Sequence, residues 1–175
     1  FLNGVLSVPL GFMMEGRAWF PIDMVELQRA IEAGDFRSFR DYDKPEFEIA
    51  ANKCEEFLKH HLSSYSKKVL GGFSQGAMIS THLSMKNSEF FDGLICLSGT
   101  LIAQKKLIEY LEKSRKIPFF QSHGKSDPVL SYNQAKELFE LLKLGGHQGE
   151  FVSFQGAHEI PMEVVNKTKN FLASI

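Results

Sequence analysis

The sequence lacks the features that would indicate a nucleic-acid-binding, membrane or disulfide-rich protein. It has two cysteines among 175 residues, and its formal net charge is −1. A charge so close to zero gives no electrostatic reason to expect nucleic acid or an anionic membrane surface as a partner. No run of residues is long and apolar enough to span a bilayer, so we expect no membrane insertion. The apolar first residues have no basic start and do not match a signal peptide.

The two cysteines, Cys54 and Cys96, form no CxxC pair and are not accompanied by a histidine pattern typical of metal sites. We expect both to be reduced core residues of a cytoplasmic protein, with a structural disulfide as the alternative. No histidine–carboxylate spacing predicts zinc or another metal. Gly124-Lys125-Ser126 resembles the end of a phosphate-binding loop, but the upstream glycine and the following helix are missing.

The pattern of apolar residues predicts an α/β fold. Short apolar runs alternate with helical patterns, which favours a mostly parallel sheet with helices on both faces. The length allows one domain with a substantial core. Predicted strands are residues 5–9, the run before Ser74, and residues 91–99, 117–122 and 149–154; predicted helices are 23–33, 45–62, 75–85, 104–113, 131–144 and 161–172. Residues 10–20 and 35–44 are predicted as connecting loops, and residues 131–134 as a capping box.

A nucleophile elbow is predicted at Gly72-Phe73-Ser74-Gln75-Gly76, because this pattern stands between an apolar strand and a helix. The turn is so tight that side chains at the two glycines would collide with the strand and the helix. Ser74 adopts a strained backbone that lifts its hydroxyl clear of the sheet. Gln75 begins the helix, so its backbone N–H has no partner in the helix and can face a developing oxyanion. This pattern also occurs by chance in many chains. A catalytic role for Ser74 therefore requires a base and an acid elsewhere in the sequence.

Two later loops supply that base and acid. Asp127 and His158 each follow a predicted strand, and functional groups of a parallel sheet gather at the carboxyl ends of its strands. The order serine, acid, histidine is that of an α/β-hydrolase. The serine needs a base to take its proton, and the imidazole needs a carboxylate to hold one tautomer. We therefore predict Ser74 as nucleophile, His158 as base and Asp127 as its partner.

The remaining histidines fit this role less well. His123 lies in the same loop as Asp127, where we expect it to shape the turn. Four others lie in helices or in a glycine-rich turn, away from a strand's carboxyl end: His60, His61, His82 and His147.

Three segments together resemble the signature segments of the phospholipase/carboxylesterase family, which includes bacterial carboxylesterases and eukaryotic acyl-protein thioesterases. They are Gly72-Phe73-Ser74-Gln75-Gly76, His123-Gly124-Lys125-Ser126-Asp127-Pro128-Val129 and Gly156-Ala157-His158-Glu159. Val8-Pro9 and Ala18-Trp19-Phe20 extend the likeness over nearly all of the chain. The resemblance implies one compact α/β-hydrolase domain over residues 1–175, with no cofactor. It implies cleavage of carboxylic esters or thioesters of short to fatty acyl chains, and a homodimer as an arrangement known in the family.

One family feature is missing from the sequence. The family carries a histidine–glycine loop near its amino terminus that supplies a second N–H donor to the oxyanion, and no such segment precedes Ser74. We expect that an amino-terminal piece, with strands of the sheet, lies outside this sequence.

The substrate side is predicted from apolar residues near the site. The loop of residues 10–20 carries Met13, Met14, Trp19 and Phe20. This loop either folds over the core or forms an acyl-binding wall, and both interpretations are open. Val129 and Ile160 are expected to flank the triad.

Three functions remain open from the sequence. The first is a serine hydrolase that cleaves a small-molecule ester through an acyl-enzyme on Ser74. The second is a hydrolase-fold binding protein without turnover. The third is an acyl-protein thioesterase, which a longer apolar groove near Met13 and Trp19 would favour.

Overall fold

The computed structural model describes residues 2–9, 15–34, 37–42 and 44–175. Its strands are β1 (Leu6–Pro9), β2 (Glu15–Ala18), β3 (Val69–Phe73), β4 (Gly93–Leu97), β5 (Pro118–Gly124) and β6 (Gln148–Phe154). Its helices are α1 (Met24–Ala33), α2 (Arg37–Arg40), α3 (Pro45–Leu62), α4 (Gln75–Lys86), α5 (Gln104–Lys113), α6 (Tyr132–Leu144) and α7 (Met162–Ser174). In the part of the chain that the structure describes, no helix has the length and apolarity needed to cross a bilayer.

Four strands form a parallel sheet in the order β3-β4-β5-β6. Helices α4, α5 and α6 each connect one of these strands to the next. Because all four strands run in one direction, their carboxyl ends lie at the same edge of the sheet. The predicted parallel sheet is therefore confirmed, and the loops that carry Ser74, Asp127 and His158 leave from this edge.

Helices cover both faces of the sheet, as predicted. On β4, Leu94 and Cys96 pack in a buried cluster with residues of α4, α5 and α6. Ile95 and Leu97, which point to the other face, pack with Val164 and neighbouring residues of α7. The alternation follows from the two-residue period of a strand. Within the described residues, α3 packs outside α4 through a further apolar cluster that contains Phe20.

The two cysteines are free thiols in this core. Burial raises the pKa of the Cys54 thiol and the pKa of the Cys96 thiol to about 11 each. A thiol with such a raised pKa is protonated at neutral pH and unreactive. The expectation of reduced core cysteines is confirmed.

The amino-terminal region differs from the sequence prediction. Residues 5–9 were predicted as a buried strand, but β1 pairs antiparallel with β2 in a separate two-stranded sheet. Ser7 is exposed there, and Leu6 and Val8 are only half-buried. β2 was predicted as part of a loop, because its sequence Glu15-Gly16-Arg17-Ala18 has no β-branched or aromatic residue to indicate a strand.

Two further local predictions are corrected by the structure. Helix α2 lies in a stretch predicted as irregular, since four residues are too few to show a helical period. The capping box at α6 forms only in half. Ser131 accepts the backbone N–H of Gln134 at 3.5 Å, whereas the Gln134 side chain donates to Glu137 at 3.0 Å.

Candidate active site

The turn between β3 and α4 holds Ser74 in a strained backbone conformation with a positive φ, at φ 58° and ψ −125°. A Cβ added to Gly72 would lie 2.2 Å from the carbonyl carbon of Gly76, so only glycine allows this close turn. The Ser74 N–H donates to the carbonyl of Leu97 at 2.9 Å, which anchors the turn to the end of β4. Gln75 is the first residue of α4, so its backbone N–H has no acceptor within the helix. The strained serine and the close turn at Gly72 are as predicted from the sequence. The collision predicted for a side chain at Gly76 is wrong, because a Cβ there would meet only Trp19 Nε1 at 3.5 Å, an ordinary contact.

The loops after β5 and β6 lie side by side because their backbones continue to pair beyond the strands. The N–H of Lys125 donates to Phe154 at 2.9 Å, and the N–H of Ser126 donates to Gly156 at 3.0 Å. A Cβ added to Gly124 would lie 2.2 Å from the carbonyl oxygen of Ala157. This close backbone contact brings the loop that carries Asp127 against the loop that carries His158.

The three predicted side chains form a continuous hydrogen-bonded chain. His158 Nδ1 lies 2.7 Å from Asp127 Oδ2, and His158 Nε2 lies 2.9 Å from Ser74 Oγ. Because a carboxylate only accepts hydrogen bonds, Nδ1 carries the hydrogen and Nε2 accepts the serine hydroxyl. The Asp127 side chain is 0% exposed and that of His158 is 17% exposed. The acid is thus buried beneath a base that remains accessible.

The environment of Asp127 keeps it ionised. Burial would raise the pKa of this carboxyl, but hydrogen bonds from His158 and from the N–H groups of Leu130 and Val129 outweigh burial and lower the pKa. The two backbone donors lie 2.9 Å and 2.8 Å from Oδ1. Asp127 is therefore a carboxylate at neutral pH, which is the form that stabilises a protonated histidine.

Val129 and Ile160 each lie two residues after a triad member along the chain, and both are exposed. Val129 is 37% exposed and contacts Asp127 through its backbone N–H. Ile160 is 41% exposed and lies between His158 and α7. The ring of Phe73 contacts the imidazole of His158 at 4.7 Å between centroids, a contact that the sequence analysis did not identify.

The apolar segment at residues 19–20 is tied to the elbow by the Gln75 side chain. The N–H of Trp19 donates to Gln75 Oε1 at 2.9 Å, and Gln75 Nε2 donates to the carbonyl of Phe20 at 3.1 Å. Trp19 is half-buried, and its Nε1 is 3.5 Å from the position that a Cβ on Gly76 would take. Trp19 therefore lies beside the elbow, against Gln75 and Gly76.

Phe20 does not occupy the acyl-binding wall that the sequence analysis left open for it. It is 0% exposed and packs edge-on against Tyr42 and Phe47 at 5.6 Å and 5.0 Å between ring centroids. For this residue the alternative interpretation, a loop folded over the core, is correct. Met13 and Met14 lie outside the described residues.

The three buried histidines, His82, His123 and His147, have structural partners. His82 lies 3.0 Å from the carbonyl of Ile102, and His147 contacts Ser114 at 3.0 Å. His123 lies 3.0 Å from the carbonyl of Leu130, but it also lies 3.3 Å from Asp127 Oδ2. His123 was predicted to shape the turn, and its contact with the acid was not predicted. The four-residue spacing between the two was the only signal.

The described residues contain no group of three or more His, Cys, Asp or Glu side chains arranged to hold a metal ion. The candidate site in these residues consists of the Ser74 hydroxyl, the His158 imidazole, the Asp127 carboxylate and backbone N–H groups. This arrangement suits proton transfer and attack on an acyl carbonyl.

Comparison with known proteins places these observations in a family. A family model described as phospholipase/carboxylesterase matches residues 2–175. The chain is 28% identical over 170 residues to acyl-protein thioesterase 1 of Debaryomyces hansenii, covering 94% of this chain and 69% of that protein. It is 32% identical over 137 residues to acyl-protein thioesterase 1 homolog 1 of Dictyostelium discoideum, covering 74% of this chain and 60% of that protein. The chain thus spans only part of the length of these relatives.

A solved structure supports the same grouping. The crystal structure of esterase PE8 superposes with a TM-score of 0.74 and 25% sequence identity, covering 91% of this chain and 71% of that one. The likeness extends through the sheet and its helices.

Proposed function

The chain belongs to the phospholipase/carboxylesterase family of serine hydrolases, and from this premise we propose that it cleaves carboxylic esters or thioesters through an acyl-enzyme on Ser74. The observation that carries the proposal is the chain of hydrogen bonds from Ser74 through His158 to Asp127. An activated serine needs all three groups in this order.

The first half of the reaction forms the acyl-enzyme. Ser74 Oγ attacks the acyl carbonyl while His158 Nε2 takes the hydroxyl proton, and Asp127 stabilises the resulting imidazolium. The carbonyl oxygen becomes an oxyanion that faces the backbone N–H of Gln75. When the tetrahedral intermediate collapses, the bond to the leaving alcohol or thiol breaks, and His158 returns the proton to that group.

The second half repeats the same steps with water. His158 takes a proton from water, the hydroxide attacks the acyl-enzyme, and the second tetrahedral intermediate expels the Ser74 oxygen. The serine recovers its proton from His158, and the carboxylic acid leaves. Atoms and charges balance without a cofactor.

For the acyl group we propose binding beside Trp19, which Gln75 holds beside the elbow. The names of the relatives favour an acylated protein as the physiological substrate, and the likeness to an esterase favours a small ester. Rates with matched oxygen esters, thioesters and an S-acylated peptide of one acyl length would distinguish the two. We also propose a cytoplasmic location, because two free buried thiols suit a reducing compartment.

We propose that residues 1–175 belong to a single domain, which the family match over residues 2–175 supports. Limited proteolysis followed by mass spectrometry tests this, since one domain yields no pair of stable, separable fragments.

The test of the proposed function is labelling of the full chain with a fluorophosphonate probe, followed by peptide mass spectrometry. We expect one adduct, on Ser74, that disappears in Ser74→Ala and in His158→Ala. The matched control is Ser98→Ala. Ser98 directly follows β4 and, like Ser74, has a positive φ, 47°, but it is 0% exposed.

The Ser98→Ala variant should label like the unchanged chain. A folded chain that takes no label, or that labels equally in His158→Ala, would contradict the proposal and favour a binding protein without turnover.

A further inference from the structure

A second imidazole contacts the carboxylate of Asp127. His123 Nε2 lies 3.3 Å from Asp127 Oδ2, the same oxygen that His158 Nδ1 contacts at 2.7 Å. The side chains of His123 and Asp127 are both 0% exposed. Oδ2 of the acid thus lies between two imidazole rings, one from its own loop and one from the loop after β6.

The tautomer of His123 follows from its neighbours. Nε2 lies 3.0 Å from the carbonyl of Leu130 and 3.3 Å from the carboxylate of Asp127, and both of these oxygens only accept hydrogen bonds. Nε2 must therefore carry the hydrogen, which it donates to the Leu130 carbonyl, and this N–H group lies beside the Asp127 carboxylate. Burial disfavours the imidazolium and lowers the pKa of His123, so the ring is neutral at neutral pH.

The two oxygens of Asp127 have different sets of partners. Oδ1 accepts the backbone N–H groups of Val129 and Leu130, and Oδ2 faces the two imidazoles. The Leu130 carbonyl holds the ring of His123, so the positive end of its N–H dipole stays close to Oδ2 and offsets part of the negative charge there.

We infer that His123 is a positioning residue for the proposed acyl transfer, which moderates the charge of the Asp127 carboxylate so that His158 returns its proton readily. The role is indirect, since His123 touches neither Ser74 nor the acyl side of the site. Removing its N–H should leave Oδ2 with more charge. The protonated form of His158 would then persist to higher pH.

The titratable groups described around this contact come from two loops and from α6, where the ring of Tyr132 lies 6.3 Å from the ring of His123 between centroids. Asp127 and His123 come from the loop after β5, and His158 comes from the loop after β6. Glu159, the next residue, is exposed and turns its carboxylate to the backbone N–H of Ala157. Phe73, which packs on the His158 ring, carries no charge.

Only the expected change in the pH profile of hydrolysis rests on the proposed function. The first measurement therefore needs no substrate. The ring resonances of His158 are followed by NMR against pH in the full chain and in His123→Phe, which keeps the ring and removes the N–H. We expect the midpoint of this titration to move upward by about half a pH unit, the size of one weak electrostatic contact. The acid limb of the pH profile of kcat/KM should move to higher pH by the same amount.

The matched control is His82→Phe. His82 is also buried, at 2% exposed, and its Nε2 also lies 3.0 Å from a backbone carbonyl, but it lies in α4 and its carbonyl partner is Ile102. This variant loses the same kind of buried hydrogen bond and should leave the His158 midpoint in place. The His123→Gln variant, whose longer amide can still donate near the position of Nε2, should restore the midpoint.

Two results would overturn the inference. One is a His158 midpoint in His123→Phe that matches the unchanged chain, with thermal stability lowered as in His82→Phe; His123 would then be only a structural turn residue. The other is a midpoint that moves to lower pH, which would refute the charge argument. If His123→Phe does not fold, His123→Asn takes its place, because its shorter amide does not reach Asp127.

A chain that shows the upward shift by NMR but hydrolyses no ester or thioester would contradict the proposed function and leave the positioning contact intact. The reverse result, normal hydrolysis without the shift, would contradict the role of His123 alone.

Discussion

The buried histidine His82 should make the fold sensitive to acid. It is 2% exposed in α4, its Nε2 donates to the carbonyl of Ile102, and its ring packs edge-on against Phe47 at 4.8 Å. Burial lowers the pKa of His82 from 6.5 to about 4. The unfolded chain therefore takes up a proton at this side chain at a higher pH than the folded chain does. Stability is retained above pH 6.5 and lost as the pH falls toward 4.

The magnitude follows from the two pKa values. Each pH unit between 6.5 and about 4 costs roughly 1.4 kcal/mol. The free energy of unfolding should thus fall by about 2 kcal/mol between pH 6.5 and pH 5 through His82 alone. Burial also lowers the pKa of His123 and the pKa of His147, so these side chains add to the loss in the same direction.

The assay is urea unfolding followed by circular dichroism at several pH values and constant ionic strength. His82→Gln keeps an N–H donor and removes the titration, so its unfolding free energy should depend less on pH than that of the unchanged chain, by the same 2 kcal/mol at pH 5. His60→Gln, at an exposed position in α3, is the control and should follow the unchanged chain. If the unfolding free energies of His82→Gln and of the unchanged chain fall equally as the pH is lowered, His82 is not the source of the acid sensitivity.

Two other substitutions test how the elbow is built. Gly72→Ala places a Cβ 2.2 Å from backbone atoms of Gly76, so we expect a lower melting temperature together with loss of fluorophosphonate labelling; normal labelling would show that the turn relaxes without cost. Gln75→Leu leaves the Trp19 N–H and the Phe20 carbonyl without their side-chain partners, and urea unfolding should show a loss of about 1–3 kcal/mol. The control is Gln28→Leu, which removes an exposed hydrogen bond to Glu32 on α1. Equal losses in both variants would show that the two hydrogen bonds of the Gln75 side chain add no stability beyond that of an exposed bond.

Elements with a local sequence signal were predictable before the structure. A glycine–serine–glycine pattern between a strand and a helix is typical of one tight turn, the nucleophile elbow. The backbone of Ser74 and the start of α4 were therefore predictable. The same holds for α3, predicted at residues 45–62, where proline starts the helix and the apolar period is sustained over several turns. The order of Ser74, Asp127 and His158 after three strands also indicated that the carboxyl edge of the sheet would bring them together.

The tertiary structure decided the contacts that depend on pairing between distant segments. The β1–β2 hairpin and the burial of Phe20 follow from such pairing, and nothing in the local pattern distinguishes Phe20 from an acyl-binding residue. The hydrogen bond from the Trp19 N–H to the Gln75 side chain joins residues 56 positions apart. The contact of His123 with Asp127 depends on how their loop folds back to Leu130. A short sequence pattern records which side chains are near one another along the chain, whereas these contacts arise only when the sheet and its loops pack.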